Sequence, residues 1–183
     1  MSTAAIAAVL AGGRSRRMGA PKALVELGGR PLLAWALGAA QEAGLETVVV
    51  AKPGSRLPPL DVPVWAEPGQ PSHPLAGVIA ALELAAPRAV VVLACDMPFV
   101  PPELIARLAA LDAVAAAPPG EGFPARYESA ALPALRAGLA REAPLRAVLA
   151  ELAPVVVAAG GGEHALLGIN DPETLARAAG LLR

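Results

Sequence analysis

Short apolar runs, mostly continuous and too brief for helices, set the strongest limit on what this chain can fold into. They cover residues 4–10, 47–51, 62–65, 89–94, 113–117 and 155–158. Runs of this kind suit strands that are covered on both faces. The segments between them carry helical patterns with defined ends. In "RPLLAWALGAAQEAG", Pro31 can open a helix, Leu33, Ala36, Leu37 and Ala40 share a face, and Gly44 offers the left-handed stop. In "SHPLAGVIAALELAAP" the stripe is Leu75, Val78, Ile79 and Leu82, and Pro87 forbids continuation. "VPPELIARLAAL" and "DPETLARAAGLL" each place Pro and Glu in a first turn, as the helix dipole prefers. Alternation of this kind predicts a three-layer α/β/α sandwich with a mainly parallel sheet, one domain over residues 1–183. Ligands of such sheets gather outside the carboxyl ends of the strands.

Charge and cysteine content narrow the classes of function. Fifteen basic and sixteen acidic residues nearly cancel, so no global field recruits nucleic acid or an anionic membrane, and attraction for an anion must be local. The single cysteine, Cys95, excludes an internal disulfide and reads as a small buried hydrophobe. The apolar start is followed, not preceded, by Arg14, Arg16 and Arg17, the reverse of the order in a signal peptide or a twin-arginine signal. No later apolar run reaches the roughly 18 residues of a membrane span. The expectation is a cytoplasmic protein with no membrane and no nucleic-acid partner.

Two strand ends carry conspicuous chemistry. The first run enters "LAGGRSRRMGAPKAL", residues 10–24. Gly12 and Gly13 can adopt positive φ and turn successive amides inward around an anion, with Arg14, Arg16, Arg17 and Lys22 adding full charges. The alternative is a solvated turn. A Walker A motif is excluded, because five residues separate Gly13 from Gly19 and "APK" follows; the G-x-G-x-x-G fingerprint is absent as well. The fourth run ends in "LACDMP", where Asp96 is either a strand-end cap or a ligand for Mg²⁺, an ion that commonly binds through one or two carboxylates plus substrate phosphates.

The segments "LAGGRSRRMGAPKALVELGGRPLLAWAL", "HPLAGV", "ACDMPFVPPEL" and "INDPETLARA" resemble, in order and spacing, the molybdenum cofactor guanylyltransferase (MobA) family over essentially the whole chain. The resemblance implies a nucleotide-diphospho-sugar transferase type of fold. It implies a Mg²⁺-dependent transfer of GMP from GTP to the terminal phosphate of molybdopterin, with pyrophosphate released. It also implies that Leu10, Ala11, Gly12 and Gly13 bind the nucleotide, that Lys22 touches its phosphates, and that Asp96 holds Mg²⁺; Lys22 and Asp96 are then the catalytic pair, and Arg17 of the charged loop joins the nucleotide-binding set. Pro74, Leu75 and Gly77 fall in the segment beside the base, where a helix N-terminus would supply backbone donors. Glu67 matches a family aspartate that reads the nucleotide, and a carboxylate suits the ring N–H and amino group of guanine. Proteins that mature molybdenum enzymes would be transient partners.

The chain also departs from the family pattern. An asparagine expected after the second strand is replaced by Ala51, followed by Lys52, and the C-terminal N-x-N pattern reads "GIND". Asn170 remains as a candidate for substrate or metal. Asp171 is a helix N-cap or a metal ligand. Arg126, in "GFPARYES", is a candidate contact for pterin or phosphate. His73 and His164 read as turn and loop residues, and Trp35 and Trp65 as packing. Because the attacking phosphate is already anionic, the reaction needs positioning and charge compensation more than a general base. CTP as donor, a sugar phosphate as acceptor, and a catalytically silent nucleotide-binding module are the alternatives.

Overall fold

The computed structural model describes residues 5–12 and 18–182. Along the chain it has β1 (Ile6–Leu10), β2 (Glu26–Leu27), β3 (Arg30–Pro31), α1 (Leu32–Glu42), β4 (Thr47–Ala51), β5 (Val64–Ala66), α2 (Pro74–Ala85) and β6 (Val90–Ala94). There follow α3 (Pro102–Ala110), β7 (Ala115–Ala117), β8 (Ala125–Tyr127), α4 (Leu132–Ala140), α5 (Leu145–Glu151), β9 (Val155–Val156) and α6 (Pro172–Leu181).

Seven strands form one sheet in the order β5-β4-β1-β6-β8-β7-β9. All are parallel except β8, which runs antiparallel to both β6 and β7. The expected mainly parallel sandwich is therefore present, and the continuous apolar runs of the central strands have a direct cause, whereas the edge runs at β5 and β9 are largely exposed instead of covered on both faces. Along β1, Ile6 and Ala8 face one layer with Leu75, Val78, Leu82, Leu135 and Val148 of α2, α4 and α5. Ala7 and Val9 face the other, with Leu33, Leu37, Leu104 and Leu108 of α1 and α3. Both faces are covered, so neither set of alternate positions can be polar.

Helix ends follow the sequence signals closely. The α2 helix starts on His73, whose Nδ1 accepts from Leu75 N at 3.2 Å, with Pro74 in the first turn. Leu75, Val78 and Leu82 are fully buried, each contributing about 1.5–3 kcal/mol relative to exposure. Gly44 takes φ +78° just beyond α1, the left-handed stop that its position predicted. Asp171 is the N-cap of α6 in a capping box with Thr174, its carboxylate accepting from Thr174 N at 2.8 Å.

The sequence does not foreshadow the β2–β3 hairpin, β8, or helices α4 and α5. β8 is "ARY", with a charge at its centre, and α4 and α5 lie in alanine-rich chain with few apolar stripes. A third, small core pins the hairpin to the C-terminal helix: Val25, Leu27, Leu32, Ile169 and Ala178, with Trp35 and Phe99 packed against them. The Trp35 indole donates to Leu27 O at 3.1 Å and closes this unit. Among the described residues no helix is long and apolar enough to cross a membrane.

Candidate active site

The strand order reverses direction between β1 and β6. From β1 the chain moves outward to β4 and β5, then crosses back to lay β6 on the other side of β1. The loops leaving these two strands therefore diverge, and a crevice opens at their carboxyl ends. Leu10 pairs with Ala94 there, and Cys95 N donates to Leu10 O at 3.2 Å. A cavity of about 640 Å³ occupies this crevice, lined in part by Leu10, Gly12, Lys22, Glu67, Pro74 and Asp96. The volume is in the range of small-molecule sites.

One wall is cationic and polar. Lys22 opens a short 3₁₀ turn whose next residue, Ala23, is buried in the core beside α1, so the backbone of this turn is anchored. Its ammonium contacts the Asp96 carboxylate and donates to Asn170 Oδ1 at 2.5 Å. The Lys22 and Asp96 side chains are each 17% exposed, enough for a ligand to reach them. Asn170 arrives because Ile169, the residue before it, is fully buried in the third core and donates its amide to Asp96 O at 2.8 Å. Asp96 and Asn170, widely separated from Lys22 in sequence, thus converge on one ammonium.

The opposite wall is Glu67. Its amide donates to Ala51 O at 3.0 Å, which continues the pairing beyond β5 and fixes the direction of the side chain. The carboxylate lies over two glycines. A Cβ on Gly12 would meet Oε1 at 2.0 Å, and one on Gly77 would meet Oε2 at 2.7 Å, so both must be glycine for Glu67 to sit there. Glu67 is 7% exposed, and among the described residues no hydrogen-bond donor meets its carboxylate. Burial raises its pKa above the usual value, and the ammonium of Lys52 partly opposes the rise.

A family model described as the MobA-like NTP transferase domain matches residues 7–156. The chain belongs to this family.

Family members resemble it over different lengths. A molybdenum cofactor guanylyltransferase from Cereibacter sphaeroides is 37% identical, with 96% of this chain and 95% of that protein aligned. A probable molybdenum cofactor guanylyltransferase from Pelotomaculum thermopropionicum is 43% identical over 99 residues, 52% of this chain, which spans about half (47%) of that relative's length. Among solved structures, a molybdopterin-guanine dinucleotide biosynthesis protein A from Archaeoglobus fulgidus superposes with a TM-score of 0.78 at 27% identity, covering 96% of this chain and 97% of that one. A 2-C-methyl-D-erythritol 4-phosphate cytidylyltransferase from Thermus thermophilus superposes with a TM-score of 0.70 at 26% identity, covering 97% and 98%.

Within this MobA-like frame, Leu10, Gly12, Lys22, Glu67, Pro74 and Asp96 all face the cavity, and Gly77 borders it through Glu67. Gly13 and Arg17, with Arg14 and Arg16, lie outside the described residues. Three expectations need correction. Leu75 does not face the cavity: its side chain is fully buried and its amide is taken by His73, while Ala76 N donates to His73 O, so these first α2 donors are satisfied internally. Ala11 is turned into the core beside α1, and its amide donates to Val50 O. Arg126 is not at the cleft. Its guanidinium, 5% exposed, donates to Ala109 O at 3.1 Å, to Ala113 O at 3.3 Å and to Glu128 at 2.7 Å, which makes it a C-terminal clamp for α3.

Other residues keep plain roles. Ala51 is a core methyl whose carbonyl anchors Glu67. Cys95 is buried, and burial together with the Asp96 charge pushes its thiol up to about 12. The cavity residues without a sequence-based assignment include Lys52, Gly69, Gln70, Ser72 and Phe123. Only Lys52 had a signal, a cation directly after the position of the expected asparagine.

Proposed function

We propose that this chain transfers GMP from GTP to the terminal phosphate of molybdopterin. An oxygen of the acceptor phosphate forms a new bond to the α-phosphorus; the α–β bridging bond breaks, and pyrophosphate leaves with its electron pair. The observation that carries this reading is the convergence of Lys22, Asp96 and Asn170 at the carboxyl ends of β1 and β6, with the buried Glu67 carboxylate facing them across the same cavity.

Mg²⁺ fits these donors. An Asp carboxylate and an Asn carbonyl already share one cation, the Lys22 ammonium, and both are hard oxygen ligands of the kind Mg²⁺ selects. Among the described residues no cluster of three or more His, Cys, Asp or Glu side chains could hold a metal by itself, which matches an ion held jointly with substrate phosphates. Asp96, with Asn170 beside it, would hold the ion, which when bound offsets the negative charge of the polyphosphate.

The chain's own residues do the remaining work. Lys22 places a positive charge where two anions must approach, on a backbone turn that the core holds still. Glu67 accepts from the N1–H and amino group of guanine, and its burial makes an unmatched base costly. No side chain has to remove a proton from the nucleophile. Pyrophosphate release from GTP, CTP and ATP, each with molybdopterin and Mg²⁺, tests the reading. Turnover with GTP far above the other two is expected; equal turnover with CTP, or none with any of them, overturns it.

A further inference from the structure

Reading guanine with Glu67 leaves an adjacent cation without a role. Lys52 directly follows β4, lines the cavity, and carries its stem past the same glycine: its Cγ is 3.5 Å from where a Gly12 Cβ would stand. The ammonium donates to Gly69 O at 3.0 Å on the loop between β5 and α2, rather than to the Glu67 carboxylate. It is nevertheless close enough to act electrostatically on Glu67. An ammonium has three protons to donate, and Gly69 engages one of them. A fixed cation and a buried carboxylate that no donor of the described residues meets therefore flank one edge of the cavity.

We infer that Lys52 is a second base-reading residue, donating to O6 of guanine while Glu67 accepts from N1–H and the N2 amino group. This rests on the guanine reading above. Guanine presents an acceptor, O6, next to two donors, and an ammonium beside a carboxylate is their complement. Adenine reverses the order, setting its amino group against the ammonium and a ring lone pair against the carboxylate. Cytosine offers one donor and an adjoining acceptor, one contact fewer at Glu67. The Gly69 carbonyl keeps the ammonium in place before the base arrives, so little side-chain freedom is lost on binding.

Lys52→Met tests this, because it removes the ammonium and keeps the stem beside Gly12. The full chain and the variant are titrated with GTP, with 6-thio-GTP, which replaces only O6 by a weaker acceptor, and with ITP, which lacks only the N2 amino group. The wild type should bind GTP about tenfold more tightly than 6-thio-GTP; Lys52→Met should weaken GTP about 10- to 100-fold and abolish that margin. The GTP-over-ITP preference, which reports Glu67, should persist in Lys52→Met, and Lys52→Arg should restore part of the GTP affinity. If Lys52→Met weakens all three ligands alike, or keeps the margin over 6-thio-GTP, the assignment of Lys52 falls while Glu67 stands. No preference for GTP over ITP in the wild type overturns the guanine reading and this inference with it. Circular dichroism of each variant checks that it is folded.

Discussion

Gly77→Ala is a substitution that by local rules should help the protein and by the geometry of the site should cripple it. Gly77 lies within α2 at an ordinary helical φ, so replacing it by Ala favours the helix by about 1 kcal/mol. The new Cβ, however, would stand 2.7 Å from Glu67 Oε2 and 3.2 Å from two Leu10 methyl carbons. To reach the near limit of ordinary contact the carboxylate must retreat by about 0.7 Å. Its other oxygen already fills the space left by Gly12, so it cannot simply tip over the helix. A shift of that size takes a charge-assisted hydrogen bond outside its useful range of about 2.7–2.9 Å. Loss of such a bond costs about 1.5–3 kcal/mol, which is a 10- to 100-fold rise in the Kd for GTP. Calorimetric titration with GTP measures the affinity, and urea unfolding measures stability. The expected pair of results is unchanged or slightly increased stability with affinity down by at least tenfold. Wild-type GTP affinity in a folded Gly77→Ala protein would refute the position assigned to Glu67, whatever the activity of the enzyme.

Lys22→Ala and Asp96→Ala should each fold normally, since both side chains are partly exposed, yet lose about 10²–10³ in transfer rate; near wild-type turnover removes the residue from the mechanism. Glu67 gives a dependence on pH. Its folded pKa is raised by burial, against the opposing Lys52 charge, so the stability it contributes is present below the usual 4.5 and lost as pH rises through the raised value. GTP affinity should run the opposite way over the same window, rising with pH as the carboxylate forms, and Glu67→Gln should flatten both profiles. Arg126→Ala strips partners from two backbone carbonyls and from Glu128, at a cost of about 2–4 kcal/mol. Thermal unfolding should register that loss, while the Kd for GTP stays within about twofold.

Much of the site was legible because its strands were. A continuous apolar run that stops at Gly12, and another that stops before Asp96, mark strand ends by pattern alone, and ligands of parallel sheets collect at such ends. Lys22 was legible by its place in the loop that follows. Pairing it with Asn170 was not, because that contact depends on a small core shared by the β2–β3 hairpin and α6, elements whose two-residue strands leave little pattern. Arg126 was misread for a related reason. An arginine in loop-like chain suggests a ligand contact, and only the antiparallel insertion of β8 between β6 and β7 shows it clamping the end of α3.

Periodicity and helix punctuation act over neighbouring residues, so they suffice to specify the layered architecture and the two strand ends that carry charge. What decided the Glu67 wall of the cavity was tertiary packing. Gly12, Lys52, Glu67 and Gly77 leave four different segments, and no local preference links them. Their meeting follows from the order in which β1, β4 and β5 pair and from the packing of α2 across them. A carboxylate over two missing Cβ atoms is a property of distance, and sequence separation carries no information about it.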